Sequence, residues 1–145
     1  MIKYVTEITI DLPRARTVEL FEGFENRHQW QPGLQTYEPL DGEPGQPGAR
    51  TRLIYDEGGR AVELIETIIE HDLPDLFTAT YEAKNLYNWV RNRFTEDGPE
   101  RTRWQTENEF EFKGWMRLLG WLMRSAFPQQ TLRDMNRFKE FAESA

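Results

Sequence analysis

Polar and apolar residues alternate from Ile2 to Ile10, which predicts a strand with one buried face. Asp11 and Pro13 then supply a cap and a first-turn proline for a short helix carrying Val18, Leu20, Phe21 and Phe24. That helix reaches Gly23, a second helical turn covers Glu25 to Trp30, and Pro32-Gly33 stops it. Strand patterns follow at Leu34 to Leu40, Arg50 to Asp56, Arg60 to Glu70, Asp75 to Ala83, Leu86 to Thr95 and Arg101 to Phe112. Each junction has turn chemistry: a Pro/Gly-rich loop in LDGEPGQPGAR, two-residue hairpins at Gly58-Gly59 and Lys84-Asn85, and longer turns in HDLPD and EDGPE. From Gly114 to Ser144 the pattern is helical, with Trp115, Leu118, Leu119, Leu122, Ala126 and Phe127 on one stripe. Leu132, Met135, Phe138 and Ala142 continue the stripe, and Pro128 should kink or divide the helix.

Two-residue turns set register, so side chains can be assigned to faces. The Gly58-Gly59 turn places Tyr55 opposite Val62, Leu53 opposite Leu64 and Thr51 opposite Glu66. The Lys84-Asn85 turn places Tyr81 opposite Asn88, Ala79 opposite Val90 and Phe77 opposite Asn92. Pairing Phe94 with Thr102 would bring Asn92 to Trp104, Val90 to Thr106 and Asn88 to Asn108. The other face then collects Arg91, Arg93, Arg103, Gln105, Glu107 and Glu109 in water, together with an aromatic pair, Tyr87 and Trp89.

The inner face is unusual because asparagine is disfavoured in strands, yet Asn88, Asn92 and Asn108 gather beside Thr106. An unpaired buried polar group costs about 1–3 kcal/mol, so these amides need each other, water or a ligand. One reading is a cavity bounded by Tyr55, Tyr81, Trp104 and Phe110, and the other is a self-satisfied polar network. Glu66, alone among Val62, Leu64 and Ile68, is the one weak catalytic candidate, since a carboxylate in an apolar cavity can act as acid or base. Its alternative is an ion pair with Arg52 or Arg50.

Composition narrows the classes. A chain of 145 residues, 13% aromatic, is expected to fold as a single domain, residues 1–145. Net charge −7 without a Lys/Arg cluster argues against nucleic acid and anionic membrane as partners. The absence of cysteine removes thiol nucleophiles and thiolate metal sites, and no His-rich metal spacing appears, so neither metal nor cofactor is expected. The N-terminal stretch lacks signal-peptide blocks and the apolar regions are interrupted by charge, so a cytoplasmic location without stable membrane insertion is expected.

The order of one strand, two short helices, six strands and one long helix is α+β. It resembles the START/Bet v 1-like (SRPBCC) superfamily and, within it, the polyketide cyclase/dehydrase-like and lipid-transport-like families. The likeness rests on FENRHQWQPGL with its Trp30, Pro32 and Gly33, on ELIETIIEHDLPDLF, and on GPERTRWQTENEF, where Pro99 to Arg101 stand between the usual Gly and Thr-Arg. The resemblance implies a helix-grip fold: a curved seven-stranded antiparallel sheet around a long C-terminal helix, with two short helices between strands 1 and 2. It also implies a cavity for a small apolar or amphipathic molecule, and no universal catalytic motif.

The leading expectation is therefore a binding or carrier protein. Its candidate ligand-binding residues are Trp30, Tyr55, Glu66, Phe77, Tyr81, Asn88, Val90, Asn92, Trp104, Thr106, Asn108, Phe110, Leu119 and Met123. A cyclase, dehydratase or hydrolase using Glu66, His28 or a tyrosine is the enzyme alternative, with His71 assigned to a turn. A protein-interaction module or homodimer, joined through Tyr87 and Trp89 or the zone around Trp121, is a third.

Overall fold

The computed structural model describes residues 1–145, and its strands lie where the alternation predicts them. β1 (Ile2–Ile10) leads into α1 (Arg14–Glu22), a 3-10 turn (Phe24–Asn26) and α2 (Arg27–Trp30). β2 (Leu34–Asp41), β3 (Arg50–Glu57), β4 (Arg60–Asp72), β5 (Leu76–Ala83), β6 (Leu86–Glu96) and β7 (Thr102–Phe112) follow, then α3 (Met116–Leu122) and α4 (Ala126–Ser144). The seven strands form one antiparallel sheet in the order β1-β7-β6-β5-β4-β3-β2, curled around α4.

The turns do what their residues allow. Gly58 and Gly59 both have positive φ, 61° and 84°, as the tight hairpin between Glu57 and Arg60 requires. Asn85 takes φ 65° in the next two-residue turn. The β3–β4 and β5–β6 registers are those expected, including Thr51 opposite Glu66 and Tyr81 opposite Asn88.

Three expectations need correction. At β6–β7 the register is offset by two residues, so that Phe94 faces Trp104, Asn92 faces Thr106, Val90 faces Asn108 and Asn88 faces Phe110. β6 runs on to Glu96 and the loop between the strands is closed by a backbone bond from Asp97 N to Arg101 O, 3.0 Å. A wide loop does not fix register as a two-residue turn does, but an even offset leaves every side chain on its expected face. Second, α1 begins after Pro13, which occupies the N-cap position, and no side chain caps the helix. Third, the C-terminal helix is divided, as expected, but at Met123 to Ser125 and not at Pro128, which lies inside the first turn of α4. The ring of a helical proline meets the carbonyl four residues earlier, here that of Arg124, so the break falls upstream of Pro128 itself.

The core is concentrated at one end of the concave face. Ile10, Val18, Leu20, Trp30, Phe94, Trp104, Met135, Phe138 and Ala142 form one buried cluster joining β1, β6, β7, α1, α2 and α4. A smaller cluster of Ala49, Ile68, Phe77 and Ala79 adjoins it, with Phe21 packed against both. Phe94 and Phe138 are fully buried, each worth about 1.5–3 kcal/mol of hydrophobic stabilisation. Toward the other end of the same face, Tyr55, Tyr81, Asn88, Val90 and Phe110 all retain accessible surface. The sheet is thus packed shut at one end and less tightly filled at the other.

On the convex face, charge pairs such as Arg52 with Glu38 and Glu63 sit at the surface. The Trp89 ring is covered by the Arg91 guanidinium, 5.0 Å from its centroid, and Thr78 donates to Glu70 at 2.8 Å beside the same arginine. No helix is long and apolar enough to cross a membrane.

Candidate functional site

Register places the inward residues in transverse rows. One row runs Thr51, Glu66, Tyr81, Asn88, Phe110 and Ile2 across β3, β4, β5, β6, β7 and β1. The next runs Ile68, Ala79, Val90, Asn108 and Tyr4. Ala79 and Val90 are the short side chains at the centre of the second row, beside Tyr81 and Asn88 of the first. The third row, Phe77, Asn92, Thr106 and Thr6, passes into the packed core.

Position in these rows separates the three asparagines. Asn92 is consumed by structure: its Oδ1 accepts from Trp104 Nε1 at 3.0 Å and from Thr106 Oγ1 at 3.1 Å. Thr106, Trp104 and Asn92 are therefore a satisfied internal network. Asn88 donates through Nδ2 to Asn108 Oδ1 at 3.2 Å and to the Glu109 carbonyl at 3.2 Å. The Nδ2 group of Asn108, on a residue 5% exposed, has no protein partner at all.

Glu66 has a partner, though not Arg50 or Arg52. Arg50 pairs with Asp41, and Arg52 with Glu38 and Glu63. Glu66 instead accepts from Arg27 Nη2 of α2 at 3.1 Å, with side chains only 2% and 14% exposed. The carboxylate is thus not alone in an apolar cavity. The Arg27 guanidinium also lies 5.4 Å over the Tyr37 ring. Burial works against the Arg27 charge, but Glu66 and the surrounding tyrosines more than offset it, and its pKa lies above the ordinary arginine value. Burial pushes the Tyr55 phenol up to about 12 against the pull of Arg27, and burial together with Glu66 raises Tyr81 well above its ordinary value. Both phenols are therefore hydrogen-bond donors at neutral pH, and Tyr55 donates to Gln31 Oε1 at 3.1 Å.

Across from this group, α4 contributes a second polar set. The Tyr4 and Thr131 hydroxyls share a 2.6 Å hydrogen bond, and Asp134 accepts from Gln130 at 3.0 Å and Arg137 at 3.1 Å. Burial raises the Asp134 pKa against those partners. Sequence reasoning named none of Arg27, Tyr37, Gln31 or Asp134. A signal existed for two of them: Arg27 precedes Trp30, an inward residue, by three positions and Gln31 by four, the spacings that put side chains on one helical face.

The remaining candidates fall elsewhere. Trp30 and Phe77 are core residues: Trp30 meets Phe138 edge-on at 5.1 Å, and Phe77 meets Phe21 at 6.0 Å. Leu119 and Met123 lie on α3 and its exit, 41% and 44% exposed, and the α3 residue packed on the sheet is instead Gly120, against Phe112. His71 ends β4 rather than occupying a turn, its ring 3.5 Å from Glu22, and His28 Nδ1 bonds the Leu34 carbonyl at 3.1 Å. No group of three or more acidic or histidine side chains is arranged to hold a metal ion.

A groove of about 1090 Å³ opens where the first residues of β1, the end of β7 and α3 meet. Phe110 lines it and also belongs to the Glu66–Tyr81–Asn88 row, and Phe110, Phe112 and Phe127 stack with centroids 5.1–5.9 Å apart. The polar row and the groove thus meet at one aromatic wall.

Among solved structures, a START superfamily protein from Mycobacterium smegmatis superposes with TM-score 0.82 at 14% identity, over 99% of each chain. Ara h 8.0201 gives TM-score 0.79 at 18% identity, covering 99% of this chain and 98% of that one. The ZhuI aromatase/cyclase from Streptomyces sp. R1128 gives 0.79 at 15%, covering 97% and 93%. At these identities the likeness establishes the fold. No curated protein sequence matches the chain. The sequence pattern of the family described as polyketide cyclase / dehydrase and lipid transport matches residues 1–143. With that match across a seven-stranded sheet and C-terminal helix that have the START/Bet v 1 helix-grip fold, the chain belongs to the polyketide cyclase/dehydrase and lipid transport family.

Proposed function

We propose that this protein binds a small amphipathic molecule between the concave sheet face and α4. The polar end sits at Asn108, Asn88 and the Arg27–Glu66–Tyr81 group, and the apolar body over Ala79, Val90, Tyr55 and Phe110. The observation that carries the reading is the Asn108 amide, a buried donor pair with no protein acceptor, which a ligand oxygen would satisfy. The family's range, from lipid transport to polyketide cyclisation, agrees with a ligand that is apolar along most of its length and oxygenated at one end.

The test is isothermal titration with long-chain carboxylates and with planar polyphenols, repeated on Asn108→Leu and Tyr81→Phe. Affinity should fall about tenfold in each variant, the size of one lost hydrogen bond of about 1.4 kcal/mol. Unchanged affinity in both variants would remove the basis for the proposal.

A second reading, cyclisation or dehydration in the same space, is favoured by the proximity of Tyr81, Glu66 and Arg27 and by the likeness to an aromatase/cyclase. There Tyr81 would donate a proton and Arg27 would hold a developing oxyanion. Binding retained with turnover lost in Tyr81→Phe would favour catalysis over carriage.

A further inference from the structure

Net charge argues against an anionic surface as a partner, but the charge is not evenly spread. Between Lys113 and Arg133 the chain carries Lys113, Arg117, Arg124 and Arg133 and no Asp or Glu, in a protein whose net charge is −7. None of these four cations pairs with a carboxylate, whereas most arginines elsewhere are ion-paired. The same segment holds most of the large apolar side chains left in the open: Trp115 is 72% exposed, Leu118 66%, Leu122 60% and Trp121 57%. A helix with that exposure is out of keeping with a surface meant to face water alone.

From this coincidence of basic charge and exposed indole we infer that α3 and the groove beside it form a docking surface for an anionic lipid bilayer. Trp side chains favour the headgroup level of a membrane, and an arginine beside them can lie flat with its charge toward the phosphates. Arg124 already stacks on Trp121, its guanidinium 4.2 Å from the ring centroid. The groove is lined by Lys3, Arg117 and Arg124 among aromatic and aliphatic side chains, with no carboxylate. That lining suits a phosphate headgroup above acyl chains.

Pairing of two copies through this face fits less well. A two-fold contact would set this basic face against its own copy, a like-charge cost with no acid in the groove lining to relieve it. The inference does not rest on what the interior of the sheet holds.

The experiment is co-sedimentation of the full chain with vesicles of phosphatidylglycerol and, separately, of phosphatidylcholine, with tryptophan emission recorded. Binding to phosphatidylglycerol is expected, weakened by salt, with a blue shift of the emission. Each cation at an anionic surface is worth about fivefold in partitioning, so R117Q/R124Q should bind phosphatidylglycerol about 25-fold more weakly. The double variant Trp115→Ser/Trp121→Ser should lose both binding and blue shift, while its far-ultraviolet circular dichroism is retained because both side chains are exposed. No binding to phosphatidylglycerol would overturn the inference, as would equal binding to the two lipids or binding indifferent to both double variants. A dimer in light scattering that the Trp115→Ser/Trp121→Ser variant abolishes, without vesicle binding in the parent, would assign the face to self-association instead.

Discussion

Removing one member of the Arg27–Glu66 pair should be among the costliest single changes in this protein. Glu66→Gln keeps the shape of the side chain and deletes its charge. Arg27, 14% exposed, is then left as a cation inside the sheet with aromatic rings and a neutral amide against it and no counter-charge. Breaking a buried pair from one side costs about 3–5 kcal/mol, and the residual exposure and the Tyr37 face put this case near 3 kcal/mol. For a chain of this size that corresponds to a drop of roughly 10 °C in Tm. Arg27→Met should cost a similar amount, since it leaves the Glu66 carboxylate, 2% exposed, without its partner. Replacing both, Arg27→Met with Glu66→Leu, should return stability to within about 1 kcal/mol of the parent, because two apolar side chains have no desolvation to repay. Urea unfolding of the parent, Arg27→Met, Glu66→Leu and the double variant closes the cycle and gives the coupling energy directly. Additive single effects, or single losses below about 1 kcal/mol, would refute the claim that the two charges are buried together and hold each other.

The asparagines should separate in the same assay: Asn92→Leu strands the Trp104 and Thr106 donors and should cost about 2–4 kcal/mol, whereas Asn108→Leu removes an amide whose Nδ2 is unpartnered and should cost less than about 1 kcal/mol. Equal losses would mean that the two amides are not differently employed. For pH, the unfolded Tyr55 phenol ionises near 10 and the folded one near 12, so its stabilisation is complete below about pH 10 and is lost as pH rises toward 12. Tyr55→Phe should flatten that alkaline limb in urea titrations, and an unchanged slope would contradict the assignment. Gly120→Ala, which normally strengthens a helix, should cost about 1–2 kcal/mol here, because the added carbon would lie 2.5 Å from Phe112 Cδ2. Thermal unfolding reads the loss, and a rise in Tm would show that α3 can lift off Phe112 freely.

What was legible in the chain followed from short-range geometry. Gly58-Gly59 and Lys84-Asn85 permit one hairpin register each, and from those two turns the inward residues of β3 to β6 could be assigned before any long-range contact was known. Where the loop was wide, after Glu96, parity survived and register did not. Arg27 escaped notice because its partner lies on β4, far along the chain, and no periodicity within α2 announces a charge brought across a sheet. The polarity of Asn92 and Asn108 looked identical in sequence, and only their rows distinguish an amide closed by Trp104 and Thr106 from one with a free donor. The exposure of α3 was likewise hidden, since a stripe of Trp, Leu and Met reads as core until the chain turns at Arg124.

The pairing of β1 with β7 sets the order in which the protein can be made. Ile2 lies opposite Phe110 and Ile10 opposite Thr102, so β1 can join the sheet only after β7, the last of the seven strands in chain order, has been made. The strands from β2 to β7 are sequential neighbours and can zip hairpin by hairpin, while β1 has no partner among them until β7 is complete. During that interval its apolar alternation is an unpaired edge, vulnerable to association with other nascent chains, and Lys3 and Glu7 on its outer side are the charges that guard it. Closure of the grip is therefore a late, high-contact-order event, in which the first strand of the sheet is fastened by the last.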